Sequence, residues 1–225
     1  MKRTAVSFLV LLMMMACAVA LAEDPALDAA RALIGDGPRL IERETEDGYD
    51  VLEFREDAIG YEVICKGGKA LALETEYQDV RPGNMTLTQE EAVARLMEQR
   101  PGADVDYAYP EEDDGRWVWR IFYTLGEDAC VAELDPVKGA IRKETRLLGV
   151  ADQVMPAYAF VELLEQHQGD TKVLELNLEL DEDAGLIIYE GEAQANEESA
   201  GKQRTRLFEF EADAVTGDLI QWKRD

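Results

Sequence analysis

One pattern occurs three times along the chain: a short helix, an acidic turn that ends in glycine, and a set of strands joined by turns. The acidic turns end at Gly48, Gly115 and Gly185. A second set of turn glycines follows at Gly68, Gly139 and Gly217. The predicted helices start 64 and 68 residues apart, at Asp24, Thr88 and Pro156. A recurrence at this period indicates one supersecondary unit that is used three times.

The second copy shows the expected structure of the unit best. Thr88 and Glu91 have the spacing of a capping box, which predicts the start of a helix. Apolar and polar residues then alternate through predicted antiparallel strands. We therefore expect an α+β fold of tandem repeats, each with one helix packed on a three- to four-stranded antiparallel sheet. In the third copy the polar stretch 196–203 predicts an extended hairpin loop.

The first 22 residues predict a secretory signal peptide. Lys2 and Arg3 precede the apolar run 8–16, and Ala20-Leu21-Ala22 is a cleavage pattern. Two alternatives are a retained anchor and a lipoprotein acylated at Cys17. The repeats then divide the remaining chain into units at 23–82, 83–152 and 153–225.

The charge of the chain limits its partners. The sequence has 48 acidic and 23 basic residues and a net charge of −25, and loss of Lys2 and Arg3 would bring this to −27. Such acidity argues against binding to nucleic acid or to anionic membrane surfaces, which need a basic face. It favours a cationic partner, or serves solubility alone. No second long apolar run follows the signal peptide, so no membrane span is expected after cleavage.

Cys65 and Cys130 remain after the predicted cleavage, and two interpretations are open for them. In an oxidising compartment they could form a disulfide that joins the first two units. Alternatively, they are two buried thiols that act as small apolar side chains.

The sequence offers no recognisable catalytic, cofactor or metal site. Its single histidine, His167, lies near the end of the third predicted helix, and one histidine cannot form a histidine-rich zinc site. The acidic run 181–183 lacks the spaced oxygen ligands of a calcium loop. We therefore predict no cofactor and no enzymatic activity. A hydrolase that uses carboxylates is a further hypothesis, and it would need two buried carboxyl groups that converge in a pocket.

An aromatic row is the candidate for a partner-binding surface. Trp117, Trp119 and Tyr123 alternate along one predicted strand and so lie on one face of it. Exposed aromatic side chains in such a row can bind a peptide or a sugar. The alternative is that they pack beneath the helix of the second unit.

Several segments resemble the PepSY family. They are the helix opening at Thr88 with residues 90–93, the exit at Pro101-Gly102, and the ending 208–219, which contains Asp213-Ala214-Val215-Thr216-Gly217. A degenerate form of that turn occupies 135–139. The resemblance implies a secreted or cell-envelope protein without catalytic residues, which binds a protein partner such as a secreted peptidase and modulates it. The alternative function is a structural or scaffold module of the envelope.

Overall fold

The computed structural model describes residues 24–78, 85–113, 116–168, 171–199 and 202–224. The predicted signal peptide, Cys17, the turn glycine Gly115 and most of the joint between the first two units lie outside these ranges. No helix in the described ranges is long and apolar enough to cross a membrane.

Three helices and twelve strands are formed by the described residues. The helices are α1 (Pro25–Ile34), α2 (Gln89–Gln99) and α3 (Ala157–Gln168). The strands are β1 (Arg39–Glu46), β2 (Tyr49–Glu56), β3 (Ile59–Lys66), β4 (Lys69–Tyr77), β5 (Ala103–Asp113), β6 (Arg116–Leu125), β7 (Asp128–Leu134), β8 (Ile141–Leu147), β9 (Lys172–Asp181), β10 (Leu186–Ser199), β11 (Lys202–Asp213) and β12 (Leu219–Arg224). The order of one helix and four strands thus occurs three times.

The first two helices begin at the side-chain caps that the sequence predicts. Asp24 accepts a hydrogen bond from Leu27 N at 3.1 Å, which satisfies one free amide of α1. At α2 the capping box is confirmed, since Glu91 N donates to Thr88 Oγ1 at 3.3 Å and Thr88 N donates to Glu91 Oε2 at 2.8 Å.

The sheets differ in size from the prediction. The first two units share one eight-stranded antiparallel sheet in the order β1-β2-β3-β4-β8-β7-β6-β5, and only the third unit forms its own sheet, β12-β11-β10-β9. The eight-stranded sheet arises because β4 pairs with β8, from Ala72–Leu147 to Glu76–Lys143. Each of these strands would otherwise leave a row of unpaired backbone groups at a sheet edge, so their pairing satisfies both edges at once.

Each four-stranded unit contains an extra residue at two corresponding places. In the first strand of the units it is Ile41, Asp106 and Leu174, at spacings of 65 and 68 residues. In the fourth strand it is Leu71, Arg142 and Ile220, at spacings of 71 and 78 residues. β-Bulges of this kind increase local twist and interrupt strand pairing. The recurrence supports the division into three units, which stays a prediction.

Two segments predicted as turns or loops belong to strands. The stretch 196–203 is the end of one long hairpin, in which β10 and β11 pair in register from Ile188–Asp213 to Ser199–Lys202. Glu111 was assigned to an acidic turn but lies in β5, opposite Val118. Polar composition misled in both cases, because continued backbone pairing in a hairpin tolerates polar side chains on a solvated face.

The two faces of the large sheet have different coverings. On one face α1 packs over Leu52, Val63 and Cys65, and α2 packs over Ile121, Cys130 and Leu134. The opposite face contributes Ile64, Phe122 and Leu147 to a third apolar core, which is completed by α3 and the four-stranded sheet. We call α3 together with β9–β12 the second layer. Within it Phe160 of α3 stacks on Tyr189 of β10 with ring centroids 4.7 Å apart.

Cys65 and Cys130 are both free thiols. Cys65 lies in the core beneath α1, where its Sγ is 3.6 Å from Ala26 O, and Cys130 lies in the core beneath α2. The predicted disulfide is therefore absent from the structure, because each thiol faces its own helix. The interpretation as two small buried apolar side chains fits this arrangement.

This placement predicts two unreactive thiols in the native protein. Burial raises the pKa of Cys65 to about 11 and that of Cys130 to about 12, so the reactive thiolate form is suppressed at neutral pH. We expect iodoacetamide at pH 8 to label neither cysteine of residues 23–225 in buffer and both in denaturant, as read by mass spectrometry. Labelling in denaturant that requires prior reduction would instead reveal a disulfide.

Candidate functional site

A cleft of about 880 Å³ lies between the large sheet and the second layer. β9 contacts β7 and β8 along the boundary between the two layers. Side chains alternate along β9, so that Leu176 faces the apolar core while Glu175 and Glu179 line the cleft. Twelve acidic and two basic side chains line the cleft among the described residues, the basic ones being Arg120 and Lys143. The cleft is therefore strongly negative.

A buried ion-pair network lies at the end of the cleft near β5 and β6. Arg120 is 7% exposed and Glu111 is 4% exposed. Arg120 Nε donates to Glu111 Oε2 at 3.0 Å, and Arg120 Nη2 donates to Glu111 Oε1. Arg120 Nη1 also lies 3.2 Å from Glu133 Oε1. One guanidinium thus compensates two buried carboxylates.

The same network joins the two layers. Arg120 Nη1 donates to Asn177 Oδ1 of β9 at 2.6 Å. Tyr109 Oη donates to Glu111 Oε2 at 2.5 Å and accepts from Leu176 N of β9 at 2.8 Å. These bonds cross from β5 and β6 to β9, so they fix the position of the second layer at one end of the cleft.

Proton transfer between the buried carboxyl groups is not favoured by this geometry. Glu111 is engaged by Arg120 and Tyr109, and Glu133 lies between Arg120 and Arg142, whose Nη1 is 3.4 Å from Glu133 Oε2. Close cations stabilise both groups as carboxylates. A general acid and a general base would need separate environments that push their pKa values apart.

The carboxyl groups nearer the open part of the cleft have raised pKa values. Burial, followed by the charge of Glu190, raises the pKa of Glu179 to about 7. Burial and then Glu74 raise the pKa of Glu62, while burial and then Glu111 raise that of Glu175. These groups therefore lie where carboxylate repulsion is only partly compensated. No group of three or more potential metal ligands was found among the described residues.

The predicted aromatic surface is divided by the structure. Trp119 is 5% exposed and Tyr123 is 1% exposed, and both pack in the core beneath α2. Tyr123 Oη also donates to Glu144, which accepts two hydrogen bonds from Arg100 at the end of α2. Trp117 is 38% exposed and is the one member of the row at the surface. The alternative of packing under the helix therefore describes Trp119 and Tyr123.

The cleft was missed at the sequence stage because its residues come from different strands. Arg120 gave the clearest signal, since it is a charged residue in the middle of the apolar run Trp117–Tyr123. A charge in that position needs a buried partner. Its partner Glu111 was assigned to a solvated turn, so the two were not connected.

The turn that carries the resemblance has the expected chemistry. Asp213 Oδ1 accepts from Val215 N at 2.7 Å and Thr216 N at 3.1 Å, while Gly217 N donates to Asp213 O at 2.8 Å. Gly217 has a φ of +78°, a conformation that glycine adopts without strain. In the second unit Asp135 makes the corresponding bonds to Val137 N and Gly139 N, each at 2.8 Å.

Comparison with known proteins gave one family match and several remote structural likenesses. Residues 86–145 match the PepSY family, described as peptidase propeptide and YPEB domain. The YpeB C-terminal domain of Bacillus megaterium is similar at 12% identity, with 91% of this chain and 97% of that chain covered and a TM-score of 0.33. A candidate lipoprotein from Clostridium difficile is similar at 12% identity, with 63% and 95% covered and a TM-score of 0.33. A cysteine-rich secretory protein from Staphylococcus aureus is similar at 13% identity, with 58% and 46% covered and a TM-score of 0.32.

No curated protein matches the chain. The family match spans α2, β5–β7 and most of β8, and so corresponds to the second unit. The resemblance read from the capped helix and its glycine exit is confirmed for this part of the chain. Residues 86–145 therefore form a domain of the PepSY family.

Proposed function

We propose that this chain is a non-enzymatic, extracytoplasmic protein that binds peptidases at the cell envelope and modulates their activity. The observation that carries the proposal is the PepSY match at residues 86–145, a family described by its occurrence in peptidase propeptides. The predicted signal peptide at 1–22 supports the location. The buried ion pairs of Arg120 support a binding role over a hydrolytic one, since they hold Glu111 and Glu133 as carboxylates.

The acidic cleft is the surface that we assign to the partner. A basic segment of a peptidase would be attracted to it, because Arg120 and Lys143 offset few of its twelve carboxyl groups and Lys143 is itself paired with Glu74 at 2.9 Å. Addition of a partner strand to a sheet edge is less favourable. The four edge strands β1, β5, β9 and β12 each contain a bulge, which interrupts the regular backbone groups that such pairing needs.

The proposal is tested by adding residues 23–225 to secreted peptidases from the same host. We expect binding to at least one peptidase, with a changed rate of proteolysis and weaker binding at high salt. The double change Glu182→Lys/Glu190→Lys reverses two charges of the cleft and should weaken binding at least about tenfold. The matched control Glu162→Lys changes an exposed glutamate of α3 and should bind as the native protein does.

Two results would reject parts of this proposal. Absence of binding and of any change in proteolysis across the peptidases would reject the regulatory function. If envelope fractions then yielded only wall or surface proteins, the scaffold function would be favoured. Equal binding by the cleft variant and its control would show that the partner uses another surface.

A further inference from the structure

The cleft places like charges from two layers opposite each other. On the second layer Glu179 of β9 is accompanied by Asp181, by Glu182 of the following turn and by Glu190 of β10. The large sheet presents Glu62 of β3, Glu74 of β4 and Lys143 of β8 to the same cleft. Since Lys143 is paired with Glu74, the group around Glu179 keeps a large excess of negative charge.

The charges interact across the boundary as well as within each layer. The carboxylate of Glu182 raises the pKa of Glu62, and that of Glu111 raises the pKa of Glu175. Burial is the largest cause in both cases, and the facing charge adds to it. Arg120 opposes the shift at Glu175, while Lys143 opposes those at Glu62 and Glu179. Ionisation of these groups thus costs free energy that depends on how closely the layers approach.

A second titratable contact lies where β5 meets the start of α3. Asp106, the bulged residue of β5, accepts a hydrogen bond from the backbone of Ala157. Burial nevertheless raises the pKa of Asp106 to about 6, and the charge of Asp104 adds to this shift. Its Oδ1 atom is buried and has no hydrogen-bond partner. Asp106 also faces Tyr189 of β10, whose pKa it raises.

We propose that the contact between the large sheet and the second layer is a pH-sensitive joint, which tightens when carboxyl groups of the cleft take up protons. The apolar core and the Arg120–Asn177 bond hold the layers together at all pH values, and the facing carboxylates oppose them as they ionise. This inference goes beyond the proposed function and does not depend on it, because no partner takes part.

The sign of the pH dependence follows from the direction of the shifts. A carboxyl group whose pKa is higher in the folded state binds more protons there than in the unfolded chain. Its stabilisation is present below the unfolded value of about 4 and is lost as pH rises through the folded value. With folded values of about 6 for Asp106 and about 7 for Glu179, stability should fall between pH 5 and pH 8. Asp24 and Asp50 act oppositely, since their lowered pKa values cost stability only in stronger acid.

The test is urea unfolding of residues 23–225 at low salt between pH 5 and pH 8, combined with hydrogen exchange of β9 and β10. We expect the unfolding equilibrium constant of the native protein to rise more than about tenfold over this range. Glu179→Gln should remove about a tenfold part of the rise, a figure reduced for solvent screening because the group is half-buried. Asp106→Asn should remove a further part, and both variants should slow amide exchange in β9 at pH 8.

Glu162→Gln is the matched control, because it makes the same chemical change on the exposed side of α3. His167 is present in all these proteins, so its titration cancels between them. A stability that is constant or increases from pH 5 to pH 8 would overturn the proposal. Identical pH dependence in Glu179→Gln and Glu162→Gln would overturn it as well.

Discussion

Replacement of Arg120 by methionine is expected to lower the free energy of unfolding by about 3–5 kcal/mol. Methionine keeps much of the side-chain volume but removes the charge that compensates Glu111 and Glu133. Both carboxyl groups are buried, with 4% and 8% of their residue surfaces exposed. The change also removes the 2.6 Å hydrogen bond to Asn177 that links the two layers. The uncompensated burial of charge, more than the lost bonds, accounts for the size of the effect.

Urea unfolding at pH 7 measures this loss, and two further variants define its origin. Arg95→Met removes an exposed arginine that pairs with Glu98, and an ion pair of that kind contributes at most about 1 kcal/mol. The double variant Arg120→Met/Glu111→Gln should lose less stability than the sum of its single changes, because each leaves the other group without its partner. A loss for Arg120→Met no larger than that for Arg95→Met would mean that the network does not stabilise the fold.

Local features of the sequence predicted local structure well. The capping box at Thr88 depends on two residues three positions apart, and the turn at Asp213 depends on five consecutive residues. Both sets of bonds lie within one element or one turn, so no distant part of the chain can alter them. The strands of the first unit were also located within a few residues, because glycine-containing turns define their ends.

Arrangements that join different units could not be predicted in this way. The pairing of β4 with β8 joins residues about 70 positions apart, as in Glu76 with Lys143. Nothing in the pattern of either strand distinguishes a partner in its own unit from one in the next. For the same reason the cysteines suggested a bridge between units, although each faces the helix of its own unit.

The cleft shows the same limit for the candidate site. Glutamates at alternate positions of β9 predict a solvated strand face, and that is a fair interpretation of the strand alone. In the structure this face lies opposite other carboxylates of the large sheet, and burial raises the pKa of Glu179 to about 7. The acidity of the sequence, interpreted as solubility or cation attraction, therefore has a specific structural location.

The position of β9 depends on a residue that the sequence analysis did not single out. Gly191 lies in the middle of β10, paired with Leu176 of β9 and with Phe210 of β11. A Cβ atom added at Gly191 would lie 2.1 Å from Glu175 O and 2.7 Å from Glu175 C. These are backbone atoms of β9 and cannot move aside as a flexible side chain would, so β9 and β10 must separate. The φ of Gly191, +158°, adds strain for any residue with a side chain.

Gly191→Ala should therefore lower the free energy of unfolding by about 3 kcal/mol or more, as measured in urea. Gly60→Ala is the matched control, since Gly60 also lies within a strand but has no atom within 4 Å of an added Cβ. It should change stability by less than about 1 kcal/mol. Hydrogen exchange should locate the effect of Gly191→Ala in β9, the strand by which the second layer contacts the large sheet. If the alanine at position 191 were tolerated as well as that at position 60, the close approach of β9 to β10 would be wrong, and with it the geometry of the cleft that β9 lines.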